Sequence, residues 1–142
     1  MNALVIAKER GYEISETINN SVRDYSSLIT VTVKNEKGSH TIAGTVFEKK
    51  ELRIVNLDGN STDFTPVGNM VWMVHQDRPG IVGRLGTILG SNNVNIAGLY
   101  VGRQAVGGKA IAMVNVDNEV PEKVMAELRE IPHIQGLKFI KF

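Results

Sequence analysis

The chain has no cysteine, so disulfides, thiolate nucleophiles and cysteine-ligated zinc or iron–sulfur centres are excluded from its 142 residues. That absence suits a reducing compartment. Proline is scarce, with only four, and 42% of the residues are hydrophobic against 22% charged, which excludes a disordered or fibrous chain. Neither sign of charge is in excess: sixteen basic residues face fifteen acidic ones, a net charge of +1. Divided after Asn69, the first part holds eight basic and nine acidic residues and the second holds eight and six. Neither part carries the field that nucleic acid or an anionic membrane would require, so neither is expected as a partner. No apolar run approaches the roughly 20 residues of a membrane span. The N-terminal apolar run is cut off at Lys8-Glu9-Arg10, too early for a signal peptide. A cytoplasmic location is the expectation.

What is present reads as two regions. Ala3 to Arg10 is a short helical run opened by Asn2 and stopped by Gly11. Tyr12, Ile14 and Ile18 fall on even positions and suggest a strand, and Asn19 to Ser27 reads as loop. Leu28 to Val33, Thr41 to Phe47 and Leu52 to Leu57 are rich in β-branched residues and separated by polar turns, with Asp58-Gly59-Asn60 closing the last. Past Pro66 and Gly68 the pattern changes. Met70 to His75 is a nearly continuous apolar run, as in a strand buried on both faces. Ile81, Val82, Leu85, Ile88 and Leu89 recur at helical spacing up to Gly90. Asn95 to Val101 and Lys109 to Val116 are strands joined by Gln104 to Gly108, Glu119 to Glu130 is a helix with Pro121 in its first turn, and Leu137 to Phe142 is a last strand. The expected class is α+β. A small antiparallel β meander with a helix (1–69) precedes a ferredoxin-like βαββαβ unit (70–142).

The residues argue against catalysis. His40, His75 and His133 are scattered, with no histidine or carboxylate at zinc-ligand spacing, so no metal site is expected. Neither a nucleophile elbow nor a phosphate-cradling loop occurs. Gly80, Gly83, Gly86 and Gly90 do not form the dinucleotide fingerprint. The informative segment is His75-Gln76-Asp77-Arg78-Pro79-Gly80-Ile81-Val82-Gly83-Arg84-Leu85-Gly86, which runs from a buried strand into a helix that Asp77 can cap. A glycine costs a helix about 1 kcal/mol relative to alanine, and here three recur at a spacing of three, baring one edge. Free N–H groups at a helix start favour a carboxylate. His75 and Asp77 can accept from an α-ammonium or hydroxyl, and Asn95 offers both donor and acceptor, so together they can hold both ends of a small amino acid. The plain alternative stays open: Asp-x-Pro-Gly is a common turn, and the glycines can serve close helix–sheet packing. Trp72 and Tyr100 read as core, since Lys109 to Val114 lacks the interleaved aromatics of an RNA-recognition strand. Asn60-Ser61-Thr62 reads as a plain loop. Lys49, Lys50 and Arg53 form a solvated basic cluster with a small anion site as the alternative.

Asp77-Arg78-Pro79-Gly80 with Gly83 and Gly86, Val94-Asn95-Ile96-Ala97, Val101-Gly102-Arg103 and Gly107-Gly108 resemble an ACT domain, a small module that binds amino acids in biosynthetic enzymes. Ala7-Lys8-Glu9-Arg10-Gly11, Leu28-Ile29-Thr30-Val31, Ala43-Gly44-Thr45-Val46-Phe47 and Arg53-Ile54-Val55 resemble the intervening domain of the long-form D-3-phosphoglycerate dehydrogenase family. The resemblance implies a C-terminal regulatory fragment with no catalysis and no cofactor of its own. The implied parent uses NAD, oxidises 3-phosphoglycerate and is often inhibited by L-serine. It further implies a homodimer through ACT domains, within a tetrameric parent. Serine would lie at their contact, held by His75 and Asp77 of one subunit, by the backbone of Gly80, Ile81, Val82 and Gly83, and by Asn95 with Ile96 of the other. Asp77 departs from the Asn of some serine-sensitive members. Arg53 occupies one of two basic positions of an anion site in some members, and Thr65 stands in place of the second. Two alternatives accompany this reading: an oligomerisation module without effector, and the equivalent domain pair of iron–sulfur L-serine dehydratase.

Overall fold

The computed structural model describes residues 3–17, 27–36, 38–47 and 50–142. Helix α1 spans Ala3–Glu9. Its end is set by Gly11, at φ 78°, where Gly11 N and Tyr12 N donate back to the carbonyls of Lys8 and Ala7. This is the left-handed stop that glycine permits. The expected Asn2 cap lies outside the described residues. Of the suggested strand over Tyr12, Ile14 and Ile18, residues 12–17 carry no regular structure, and Ile18 with 19–26 lies outside the described residues.

The first sheet is an antiparallel meander of β1 (Ile29–Asn35), β2 (Gly38–Phe47), β3 (Glu51–Leu57) and β4 (Asn60–Phe64), in that order. β4 corrects the reading of Asn60-Ser61-Thr62 as loop. Its polar composition hides it, but Asp58 (φ 51°) and Gly59 (φ 80°) form the two-residue turn with both central φ values positive, and Leu57 pairs directly with Asn60. An Asp-Gly pair after a β-branched run is a strong hairpin signal, so the sequence held the clue.

The second sheet has the order β6-β7-β5-β8, antiparallel throughout, from β5 (Asn69–Gln76), β6 (Ile96–Arg103), β7 (Lys109–Val116) and β8 (Ile134–Lys141). Helices α2 (Ile81–Ser91) and α3 (Glu122–Arg129) complete the ferredoxin-like βαββαβ unit. Pro121 precedes α3 as its N-cap rather than sitting in its first turn. The helices bury Ile81, Leu85, Leu89, Val124, Met125 and Leu128 against Val71 and Met73 of β5 and Ala112, Val114 and Val116 of β7. The opposite face of the sheet is covered as well. Phe64 of β4 joins Met70 and Met113 in a second core, flanked by Ile54, Leu57, Trp72 and Tyr100. β5 is therefore buried on both faces, as its unbroken apolar run implies. Trp72 and Tyr100 are core residues, with the Tyr100 ring 6.3 Å from that of Phe64.

Candidate functional site

The turn from β5 into α2 begins at a buried histidine. His75 is the penultimate residue of β5, opposite Ala110 of β7, and so shares the helix-facing side of the sheet with Met73 and Ala112. It is only 2% exposed. Its Nδ1 lies 2.8 Å from the carbonyl oxygen of Gln76, which can only accept, so Nδ1 carries the proton. In the neutral ring Nε2 is then a bare acceptor, and it is buried with no partner. An unmet buried polar atom costs about 1–3 kcal/mol. A donor from outside the protomer would remove that cost.

Asp77 does not cap α2. The N-cap is Gly80 at φ 88°, without any side-chain cap, so the first amides of the helix meet no capping carboxylate of the chain. Asp77 is instead tied to the β6–β7 hairpin: its N donates to the Gly108 carbonyl at 2.7 Å, and its Oδ2 accepts from Arg103 Nη1 at 2.6 Å and Gly107 N at 3.1 Å. The Arg103 hydrogen bond, followed by the Gly107 amide, holds the Asp77 carboxyl below its ordinary value of 3.8, with desolvation opposing. Pro79 sits in the turn before the helix.

The glycine edge of α2 faces open space. A Cβ built at Gly80, Gly83, Gly86 or Gly90 would meet nothing within 4 Å. Close packing inside the protomer therefore does not account for them. Val82 is exposed beside them, and the outer strand β6 adds Leu99 and Val101. These two pair with Val114 and Ala112 and so lie on the helix side of the sheet. The bare helix edge and the apolar side chains of the outer strand are both exposed on the helix side of the sheet.

Asn95 and Ile96 stand at the other end of β6 from Asp77. The eight residues of β6 separate Asn95 from the Arg103–Asp77 pair by about 25 Å. Asn95 Nδ2 donates to Asp117 Oδ2 at 2.7 Å, and Ile96 packs against the helix-side core. The structure thus brings His75, Asp77, Gly80, Ile81, Val82 and Gly83 together and leaves Asn95 and Ile96 apart. Arg53 is not a free cation: Nη1 meets Asp63 Oδ1 and Nη2 meets Glu51 Oε2, both at 3.1 Å, which raises its pKa. The basic cluster is correspondingly weakened as an anion site, with Lys49 outside the described residues. Among the described residues no cluster of potential metal ligands occurs, and no helix is long and apolar enough to cross a membrane. Arg103 is the site residue that sequence reasoning left without a role. The register would have found it, since both Arg103 and His75 pair with Ala110.

Two family models match the chain: the D-3-phosphoglycerate dehydrogenase intervening domain over residues 1–58 and the ACT domain over 73–133. A D-3-phosphoglycerate dehydrogenase of Bacillus subtilis is 40% identical over 140 residues, covering 99% of the chain and 27% of the relative. One of Methanocaldococcus jannaschii is 35% identical over 140 residues, with 99% and 26% covered. A probable L-serine dehydratase β chain of Bacillus subtilis is 23% identical over 132 residues, covering 93% of the chain and 60% of that protein. The chain spans about a quarter of the length of the dehydrogenases it matches.

Proposed function

We propose, from the premise that this chain is a D-3-phosphoglycerate dehydrogenase intervening domain followed by an ACT domain, that it is the part of such a dehydrogenase through which L-serine controls serine synthesis. The reading assigns no catalysis and no cofactor to these residues; the NAD-dependent oxidation of 3-phosphoglycerate belongs to the remainder of the parent, a cytoplasmic enzyme.

The observation that carries the proposal is the partnerless, buried Nε2 of His75 beside a helix whose uncapped start and bare glycine edge face open space. The bare acceptor suits an ammonium or hydroxyl, and the free amides of Ile81, Val82 and Gly83 suit a carboxylate. Asp77 has Oδ1 left for the ammonium, while Arg103 offsets the charge that an aspartate places near the ligand carboxylate. Asn95 enters only from a second copy, because its own protomer holds it at the far end of β6. Two copies joined through α2 and β6 in opposite directions bring the Asn95 of each to the His75 of the other, a self-complementary two-fold contact. Serine bound there favours one dimer geometry, to the extent that it binds the two geometries with different affinity.

Thermal melting with and without L-serine, with glycine and D-serine as controls and at several protein concentrations, tests this. Ligand at ~100 times its dissociation constant adds about 2.7 kcal/mol of stability. An upward shift specific to L-serine is expected. A flat response, with melting that still rises with protein concentration, leaves an oligomerisation module and removes serine from the account.

A further inference from the structure

The end of β6 touches both the Asp77 loop and the first sheet. Gly102 is buried, and a Cβ there would stand 2.7 Å from the Ser61 carbonyl oxygen and 3.5 Å from Asn60 Cβ. The strand can thus approach β4 this closely only because residue 102 is glycine. The next residue, Arg103, holds Asp77. The one after, Gln104, donates its Nε2 to the Asp58 carbonyl at 3.3 Å and sits over Gly59. The Asp58 carboxylate in turn accepts from Thr41 N and lies 2.8 Å from His40 Nδ1, both on β2. Three consecutive residues therefore alternate between the β3–β4 hairpin and the candidate ligand loop.

We infer that Gly102-Arg103-Gln104 is the link through which the state of the Asp77 loop is transmitted to the hairpin Asp58–Asn60 of the first sheet. Arg103 is a positioning residue: it touches Asp77, not the ligand. Gly102 is the fulcrum, because a backbone carbonyl against a backbone Cα leaves no side chain to absorb a shift. Tying Asp77 holds β6 at the depth where Gly102 seats on Ser61; releasing Asp77 lets the strand end move and loosens the hairpin. The regulatory part of the inference rests on the effector reading above, but the mechanical link is independent of any ligand.

Amide hydrogen exchange of the 142-residue chain separates the two. Without ligand, Asp77→Asn and Arg103→Ala should each speed exchange of the 58–61 amides by at least about fivefold, the low end of an energetic coupling between sites, while β5 and β7 amides stay protected. In a Gly102→Ala background, already unseated from Ser61, the same substitutions should add little. With saturating L-serine, the wild-type hairpin should gain protection, and Gly102→Ala should lose that gain while its serine affinity changes by less than about threefold. Hairpin exchange indifferent to Asp77→Asn, or Asp77→Asn and Gly102→Ala effects that simply add, would overturn the link. Absence of serine binding would overturn the effector reading and leave the ligand-free result to decide the link alone. Circular dichroism and melting of each variant confirm that the second sheet is folded before exchange is compared.

Discussion

The two sheets are built from similar β-branched strands and yet are held together differently. In the second, β5 is covered on one side by helices and on the other by β3 and β4, and Val71 and Met73 are fully buried. In the first, every residue of β1 is exposed, with Ile29 at 73% and Val31 at 50%. One face of that sheet carries an apolar groove of about 250 Å³ lined by Ile29, Val31, Ile42, Val46, Leu52 and Ile54. Its pairing rests on ladder hydrogen bonds and cross-strand contacts, each worth about 0.2–1 kcal/mol. It docks on the second sheet through Phe64, and Ala43, Thr45 and Val55 are among its other buried positions. Strand propensity specifies the shape of a sheet; the partner that covers it supplies most of its stability. The second sheet stands on its own core, whereas the first leans on the second.

Substitutions can break that contrast. Leu85→Ala, at a fully buried helix position, should cost about 3 kcal/mol in urea unfolding and weaken the whole chain. Phe64→Ala should cost a similar amount, about 3 kcal/mol, but hydrogen exchange should show the loss in β1 to β4 alone. Val31→Ala, by contrast, should stay within about 0.5 kcal/mol because little of its surface is buried.

A second pair of substitutions sharpens the contrast between folding and function. Gly83→Ala meets open space and should stabilise the isolated protomer by about 1 kcal/mol in denaturant unfolding. The same methyl group should weaken self-association measured by sedimentation, because it fills the edge offered to the second copy. A glycine retained for protomer folding would give the opposite pair of signs.

Acid titration gives the smallest effect and compares one carboxylate from each region. Burial pushes Asp58 up, but the hydrogen bonds from His40 and Thr41 N outweigh it, and its carboxyl lies below the ordinary 3.8. Asp77 is likewise lowered by Arg103 and Gly107. A folded-state value below the unfolded one adds stability that is present above pH 3.8 and lost as pH falls through the lower folded value. Asp58→Asn and Asp77→Asn should each flatten the acid limb of the melting-temperature profile. An unchanged acid limb would mean that these hydrogen bonds do not persist in solution.

Much of this architecture was legible in the sequence where burial and period agree. Met70 to His75 announces a two-sided strand, and Ile81, Leu85 and Leu89 announce the helix face. β4 was not, because Asn60 to Asp63 are polar and only Phe64 marks its burial; the Asp-Gly turn was the available sign. The β5–α2 turn drew notice as a candidate site because a helix start rich in glycine is costly unless it is used. The tether of Asp77 to Arg103 was not legible, since the two lie 26 residues apart and meet only through the register of β5 and β6 on β7. The span of β6 between Asn95 and Arg103 is a feature of the fold; that Asn95 would act from the second subunit was already implied by the resemblance to ACT domains.

Complementation between two variant chains tests whether one serine site is shared by two copies. His75→Gln and Asn95→Ala chains, each verified as folded and dimeric, should bind no L-serine alone. Mixed in equal amounts and allowed to exchange subunits, they form hybrids with one intact site, so calorimetry should recover about a quarter of the wild-type binding capacity for a two-fold dimer. Binding by either variant alone, or none in the mixture despite hybrid formation, would contradict a site built from His75 of one copy and Asn95 of the other.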